Sequence, residues 1–313
     1  MTLPMLISET EKVVSTVEEF TQAVATIEGI AGERGQMVCW RGQANHDWPL
    51  VSSLVRAISA SVPPENSIIE ALEKKILAEA TSWITEFEVN DRLKDDVSRL
   101  IYLQHHGVPT RLIDFTQDPL VSLFFAAENL DAVDGRVFAI LYPKIGVLKI
   151  APTLAEIKKL KQVDLRFWQP EKLEEEFPRI RAQQGLLAIG KLPTAAFRQQ
   201  ITDSLTEKRR YLLAEEIRQC TSIAAKFYRL EDLQKEHPDR MSGKPEFPAQ
   251  AVSLRIHVHK PSIRARLARK RSGRSIVGLR ESGLSHKILY PDVNGLQQHS
   301  ETLQLLRRGV ILP

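Results

Sequence analysis

Two segments of the chain hold side chains that could do chemistry together. Trp40-Arg41-Gly42-Gln43 places a guanidinium beside a residue without Cβ and an amide. Gln104-His105-His106-Gly107-Val108-Pro109-Thr110-Arg111-Leu112-Ile113-Asp114-Phe115-Thr116 mixes polar, ionisable and apolar residues within a dozen positions. Such a mixture suits a pocket wall, where a few polar groups converge on a ligand against a dry background. Arg41 offers bidentate donors to phosphate-like oxygens and keeps its charge. Gly42 allows a close approach to the backbone, and Gln43 can both donate and accept. If Arg111-Leu112-Ile113-Asp114 is extended, Asp114 and Thr116 share one face and Arg111 takes the other. Asp114 then either orients Arg41 or stabilises positive charge on a ligand. The plainer reading is an ion pair that fixes two strands, which would cost about 3–5 kcal/mol to break.

Elements able to position these groups are legible around them. Thr16-Val17-Glu18-Glu19 reads as a capping box ahead of Val17, Phe20, Val24 and Ile27 at helical spacing, with Gly29, Gly32 and Gly35 as the stop. Met37 to Trp40 is a short apolar strand that delivers Arg41. Helices are expected over Ile68 to Phe87 and Val97 to Leu103, and from Pro119 to Ala127 with proline in the first turn. Arg136 to Tyr142 is a strand after an Asp134-Gly135 turn. The charged region 153–236 reads as mainly helical, breaking into a strand around Ile180 to Ile189 that carries Gln183. Val252, Leu254, Ile256 and Val258 alternate with polar residues as a half-buried strand.

The chain has 313 residues, 43% hydrophobic and 26% charged, enough to bury a full core. A formal charge of +4 is too small to announce a nucleic-acid binder. Cys39 and Cys220 fit no disulfide or metal framework, and no long apolar run suggests a membrane span. A soluble protein of the cytoplasm, with no membrane association, is expected. No repeat or linker divides the chain, so one α+β unit over 1–313 is expected, with 153–236 as an insertion or subdomain.

Arg41-Gly42-Gln43 with Pro49-Leu50 and Ser53-Leu54-Val55-Arg56 resembles the opening block of the FRG domain, named for a Phe-Arg-Gly signature whose first position here is Trp40. Gln104-His105 through Leu123-Phe124-Phe125-Ala126 resembles its second block. Arg179-Ile180, Gln183 and Gly185 resemble the third. Leu279, Gly283 and Leu289-Tyr290-Pro291-Asp292 with Gly295 resemble the last. FRG domains are similar in motif layout to the ADP-ribosyltransferase superfamily. The resemblance implies mixed or antiparallel sheets around a cleft with peripheral helices, and NAD as substrate. It implies that Arg41, Asp114, Thr116 and Gln183 are catalytic. Arg41, Gly42, Gln43, Gln104, Thr110, Arg111 and Asp292 would bind the dinucleotide. Gln183 lies near the position where that superfamily has a glutamate.

Three functions are therefore carried forward. The first is an NAD-dependent ADP-ribosyltransferase, a bacterial toxin or anti-phage effector that modifies a protein or nucleic acid and has an antitoxin or immunity partner. The second is a catalytically silent sensor of a nucleotide-like ligand. The third is a nucleic-acid-binding or processing module, resting on Arg264, Arg266, Arg269, Lys270, Arg271 and Arg274, expected on a helix from about Ser262. Weaker signals read as structural. His105 and His106 point in different directions, and at least one is expected to donate at a helix end. His257 and His259 lack a third ligand, so an exposed strand face is preferred to a metal site. No Walker loop, dinucleotide-fold glycine signature or nucleophile elbow is present.

Overall fold

The computed structural model describes residues 5–160, 165–170, 177–193, 199–202, 206–235, 249–257, 259–268 and 284–291. Its strands are β1 (Lys12–Val14), β2 (Gln36–Gln43), β3 (Ile113–Thr116), β4 (Gly135–Pro143) and β5 (Leu165–Trp168). They continue with β6 (Gly185–Gly190), β7 (Gln200–Thr202), β8 (Arg209–Tyr211), β9 (Ala225–Tyr228) and β10 (Ala249–Ile256). One mixed sheet runs β1-β10-β4-β2-β3-β6-β5, and β9 also pairs with β10, while β7 and β8 form a separate hairpin. From β10 to β5 every pairing is antiparallel. β9 and β1 lie parallel to β10 and follow one another along it, opposite Ala249–Val252 and Leu254–Ile256.

The helices are α1 (Met5–Thr10), α2 (Val17–Glu33), α3 (Ser53–Ser59), α4 (Asn66–Trp83), α5 (Glu86–Val89), α6 (Asp96–His105) and α7 (Pro119–Ala127). After them come α8 (Leu154–Lys159), α9 (Pro178–Ala182), α10 (Ala214–Cys220), α11 (Leu230–Lys235), α12 (Lys260–Ala268) and α13 (His286–Leu289). On one sheet face α2, α7 and α12 bury Trp40, Val137, Ala139 and Val252. The opposite face buries Phe115, Phe138, Ile140 and Leu186 with residues of α1 and α10. A third cluster packs α4 and α6 on Trp168, Leu187 and Ile189. Trp40 lies opposite Thr116 and Leu187 opposite Asp114, so the first and third clusters occupy the same sheet face on either side of β3. The groove between them holds the site.

α7 is the element that shapes this face. Asp118 caps it by accepting from the Leu120 amide at 2.8 Å, with Pro119 in the first turn. Its backbone rests directly on two strand glycines. A Cβ at Gly42 would lie 1.8 Å from the Ser122 carbonyl oxygen, and one at Gly135 would lie 2.2 Å from that of Ala126. Backbone cannot rotate away as a side chain can, so both positions demand glycine. Gly42 lines the groove too, but the backbone pressed against it is that of α7.

Several expected elements shift. α2 runs through Gly29 and Gly32 and stops near Gly35, whose φ of 64° is the left-handed stop signal. Glu19 completes its cap by accepting from the Ser15 amide at 2.7 Å, while Thr16 accepts from the Glu19 amide at 3.0 Å. The described part of 153–236 is not mainly helical: it supplies β5 to β9 among short helices. Gln183 lies in the turn after α9, not in a strand. β10 is buried on both faces, Gln250 and Ser253 included, because one core cluster packs on Val252, Leu254 and Ile256 and the other on Ala249 and Ala251. β10 ends at Ile256; His257 then pairs with Asp134 and His259 with Ser262, while Val258 lies outside the described residues. α12 begins at Lys260, earlier than Ser262. Among the described residues, no helix is long and apolar enough to cross a membrane.

A buried ionic network, invisible in the sequence pattern, ties this end of the sheet together. Arg136 bonds the His46 carbonyl, Ser253 and the Glu11 carboxylate, the last at 2.7 Å. Arg255 joins Glu11 to Asp134 at 3.7 and 2.5 Å. Burial raises the Cys39 thiol and pushes Cys220 up to about 12, so both stay protonated at neutral pH and neither is a nucleophile.

Candidate functional site

The groove opens where the sheet divides. β2 and β3 pair only at Trp40 and Thr116. Beyond that point Arg41 to Gln43 stay with β4, while Ile113 to Phe115 stay with β6. Two strands that separate in this way leave backbone groups without a ladder, and Arg41 spans the gap. Its Nη1 donates to the Asp114 carbonyl at 2.6 Å. The expected Arg41–Asp114 pairing therefore runs through the Asp114 backbone and leaves its carboxylate to other partners. Around the fork is a cleft of about 600 Å³, within the range of ligand-binding sites.

The Asp114 carboxylate is held by a relay. Gln104, in the last turn of α6, donates from Nε2 to Asp114 Oδ1 at 2.6 Å. The Thr110 hydroxyl donates to Gln104 Oε1, which fixes which end of the amide faces Asp114. Thr110 is itself anchored to α3: its amide donates to Ser53 Oγ at 3.0 Å, and its carbonyl accepts from the Leu54 amide at 3.0 Å. The carboxylate meets water inside the cleft while protein walls crowd it. Loss of bulk water raises its pKa, opposed by Arg41, the Gln104 hydrogen bond and Arg179. Burial lowers the pKa of Arg41; Asp114 opposes the shift, and Arg56 adds to it.

Thr116 shares the cleft-facing side of β3 with Asp114, as the alternation requires. Its hydroxyl donates to the Gln183 carbonyl at 2.6 Å and accepts from the Asp118 amide at 3.0 Å, tying the α9 turn to the start of α7. Gln183 lines the cleft, with its amide Nε2 donating to the Leu289 carbonyl at 3.0 Å. Gln43 also lines it: Nε2 donates to the Pro49 carbonyl at 3.2 Å, while buried Oε1 has no hydrogen-bond partner among the described residues.

Thr110 stands one step behind the cleft wall, and Arg111 does not reach it. Arg111 forms a buried ion pair with Glu73 of α4, with Nη2 to Oε2 at 2.6 Å and Nε to Oε1 at 2.8 Å. The strand starts only at Ile113, so Arg111 lies before the alternating run and turns toward α4. Asp292 lies outside the described residues. His105 lines the cleft, whereas the His106 amide closes the end of α6.

Three cleft residues carried no chemical role in the sequence reading. Arg179 stacks 4.7 Å over the Tyr290 ring, a cation–π contact. The Tyr290 hydroxyl donates to Glu128 at 2.9 Å, and burial together with Glu128 raises its pKa. Arg56 points into the same cleft from α3. The first two come from distant segments of the chain, and nothing in their local spacing announces the meeting. Lys260 supports the rim from behind: its buried Nζ donates to the carbonyls of Ala44, Asn129 and Leu130. These three residues all line the cleft.

The described part of the basic stretch is engaged elsewhere. Arg264 bonds the Ala127 carbonyl and Asp131, and Arg266 bonds Glu18. Arg269, Lys270, Arg271 and Arg274 lie outside the described residues. Among the described residues no cluster of His, Cys, Asp or Glu could hold a metal.

No curated protein and no solved structure matches the chain. A family model does match, covering the fork, the Gln104–Asp114 relay and α7 but not α9 or Tyr290. Residues 36–135 match the FRG domain.

Proposed function

We propose that the cleft binds NAD and transfers its ADP-ribosyl group to an acceptor on a protein or nucleic acid. In this reading the divided sheet and its helices are an ADP-ribosyltransferase-like frame. The observation that carries it is the meeting, at one strand fork, of the Arg41 guanidinium with an Asp114 carboxylate held in place by Gln104. Arg41 holds the ligand's phosphate or ribose oxygens. Asp114 faces positive charge developing on the ribose as the bond from its anomeric carbon to nicotinamide breaks. Nicotinamide leaves with the electron pair, the acceptor's nucleophilic atom bonds the same carbon, and the acceptor proton passes to Asp114 or water. Gln183 brings no carboxylate, so Asp114 fills the acidic role in the cleft.

The test is nicotinamide release from NAD by wild type and Asp114→Asn. The isosteric variant is expected to lose roughly 10²–10³-fold, as when one charge-stabilising group is removed from a transition state. Its stability moves the other way. Because the folded-state pKa of Asp114 is raised, its contribution is favourable below the ordinary carboxylate range and is lost as pH rises through the folded value. Asp114→Asn should therefore melt above wild type at neutral pH, with the advantage disappearing in acid. Wild-type activity should fall on acidification at a pH above that of an ordinary aspartate. A variant that is as active as wild type, or less stable at neutral pH, would count against this role.

One observation favours the second reading, a silent nucleotide sensor. The Thr116 hydroxyl and the Gln183 amide are both engaged in holding backbone. Ligand-induced stabilisation without nicotinamide release would select that reading.

A further inference from the structure

Among the described residues three guanidiniums face the cleft, from Arg41, Arg56 and Arg179. Their compensation is unequal. Arg179 lies over the Tyr290 ring and near Asp114. Arg41 gives one Nη to the Asp114 carbonyl, and its buried Nε has no acceptor among the described residues. The Arg56 amide donates to the Ser52 carbonyl at 3.0 Å, but its guanidinium makes no hydrogen bond or ion pair among the described residues. Among the described residues two carboxylates line the cleft, and both are engaged, Asp114 by Gln104 and Glu128 by Tyr290. Arg41 and Arg56 stand close enough to repel each other, and the Asp114 carboxylate, which attracts Arg41, makes no hydrogen bond to either guanidinium among the described residues.

A second orphan group narrows the chemistry of the ligand. Gln43 Oε1, two residues from Arg41 on β2, is buried without a donor among the described residues. An unsatisfied buried donor and an unsatisfied buried acceptor each carry a desolvation penalty. A ligand that relieves both must present an acceptor anion beside a hydroxyl. Inorganic phosphate supplies the anion, whereas a phosphorylated sugar supplies the two together.

We propose that Arg41 and Arg56 form a two-guanidinium seat for a sugar-linked phosphate, with Gln43 Oε1 accepting from a hydroxyl of that sugar. The assignment adds Arg56 and Gln43 to the nucleotide reading above and rests on it for the ligand class. It does not require that the bond to nicotinamide be broken. A planar fork matches phosphate geometry in a way an ammonium does not, so Arg56→Lys keeps the charge but not the paired bonds.

The experiment is calorimetric titration of the full chain with ADP-ribose, inorganic diphosphate and a single-stranded oligonucleotide. Wild type, Arg56→Gln, Arg56→Lys and Gln43→Leu are compared, with melting temperature as the folding control. ADP-ribose should bind wild type more tightly than diphosphate. Arg56→Gln should weaken both about 10-fold or more, with Arg56→Lys intermediate. Gln43→Leu should weaken ADP-ribose alone. ADP-ribose affinity unchanged in folded Arg56→Gln overturns the seat. So does failure of wild type to bind either small probe, or binding of the oligonucleotide alone. Binding that depends on Arg56 without nicotinamide release keeps the seat and removes the transferase.

Discussion

Gly42→Ala is expected to destabilise the fold by about 3 kcal/mol or more, at or beyond the upper end for overpacking. The added methyl would meet the Ser122 carbonyl oxygen at 1.8 Å and the Ala126 amide nitrogen at 2.8 Å, both backbone atoms of α7. No rotamer change can relieve that contact, so α7 must lift from β2. Trp40, Phe124 and Val121, all buried in the same cluster, would lose packing as it moves. Gly29→Ala is the matched control. Nothing lies within 4 Å of its Cβ position inside α2, so alanine there should stabilise by about 0.5–1 kcal/mol. Urea unfolding of the two variants distinguishes a crowded glycine from a merely helical one. Equal effects would refute the close-packing account.

Arg111→Met is expected to cost about 3–5 kcal/mol, because it strands the Glu73 carboxylate inside the protein. The two side chains are 6% and 2% exposed and are joined at 2.6 Å. Burial already raises the Glu73 pKa, with Arg111 as the main opposing influence. Without Arg111 the folded-state pKa rises further above its unfolded value. The deficit should therefore be largest at neutral pH and shrink as pH falls and Glu73 takes up a proton. The double variant Glu73→Leu with Arg111→Met removes both charges and should recover most of the loss, since paired removal of a buried ion pair is often neutral. Denaturation curves across pH test both statements. A single variant as stable as wild type would show that the pair does not anchor α4.

The sequence made some of this visible for physical reasons that are local. Asp118 and Pro119 announce the start of α7, because caps and first-turn prolines act within a few residues. The strand alternation that places Asp114 and Thr116 on one face is equally local. Arg111 shows the limit of such reasoning. Its partner Glu73 lies on α4, far away in sequence, and the strand does not extend back far enough to direct Arg111 into the cleft. Glycine at position 42 reports a close approach without naming what approaches: the atoms pressed against it are backbone atoms of α7, and the residue also lines the cleft. The strands inside 153–236 were hidden because their charged flanks read as helix surface. Arg56, Arg179 and Tyr290 converge only through tertiary structure, so no spacing could assemble them.

The most direct measurement of the central claim is transfer from NAD labelled on its adenylate phosphate, with cell lysate as the acceptor source. Wild type should attach label to a protein or nucleic acid and release an equal amount of nicotinamide. Arg41→Ala, confirmed folded by its melting transition, should do neither, because the guanidinium that spans the strand fork is gone. Label transfer by Arg41→Ala at the wild-type rate, or a folded wild type that neither labels an acceptor nor releases nicotinamide, would contradict the account.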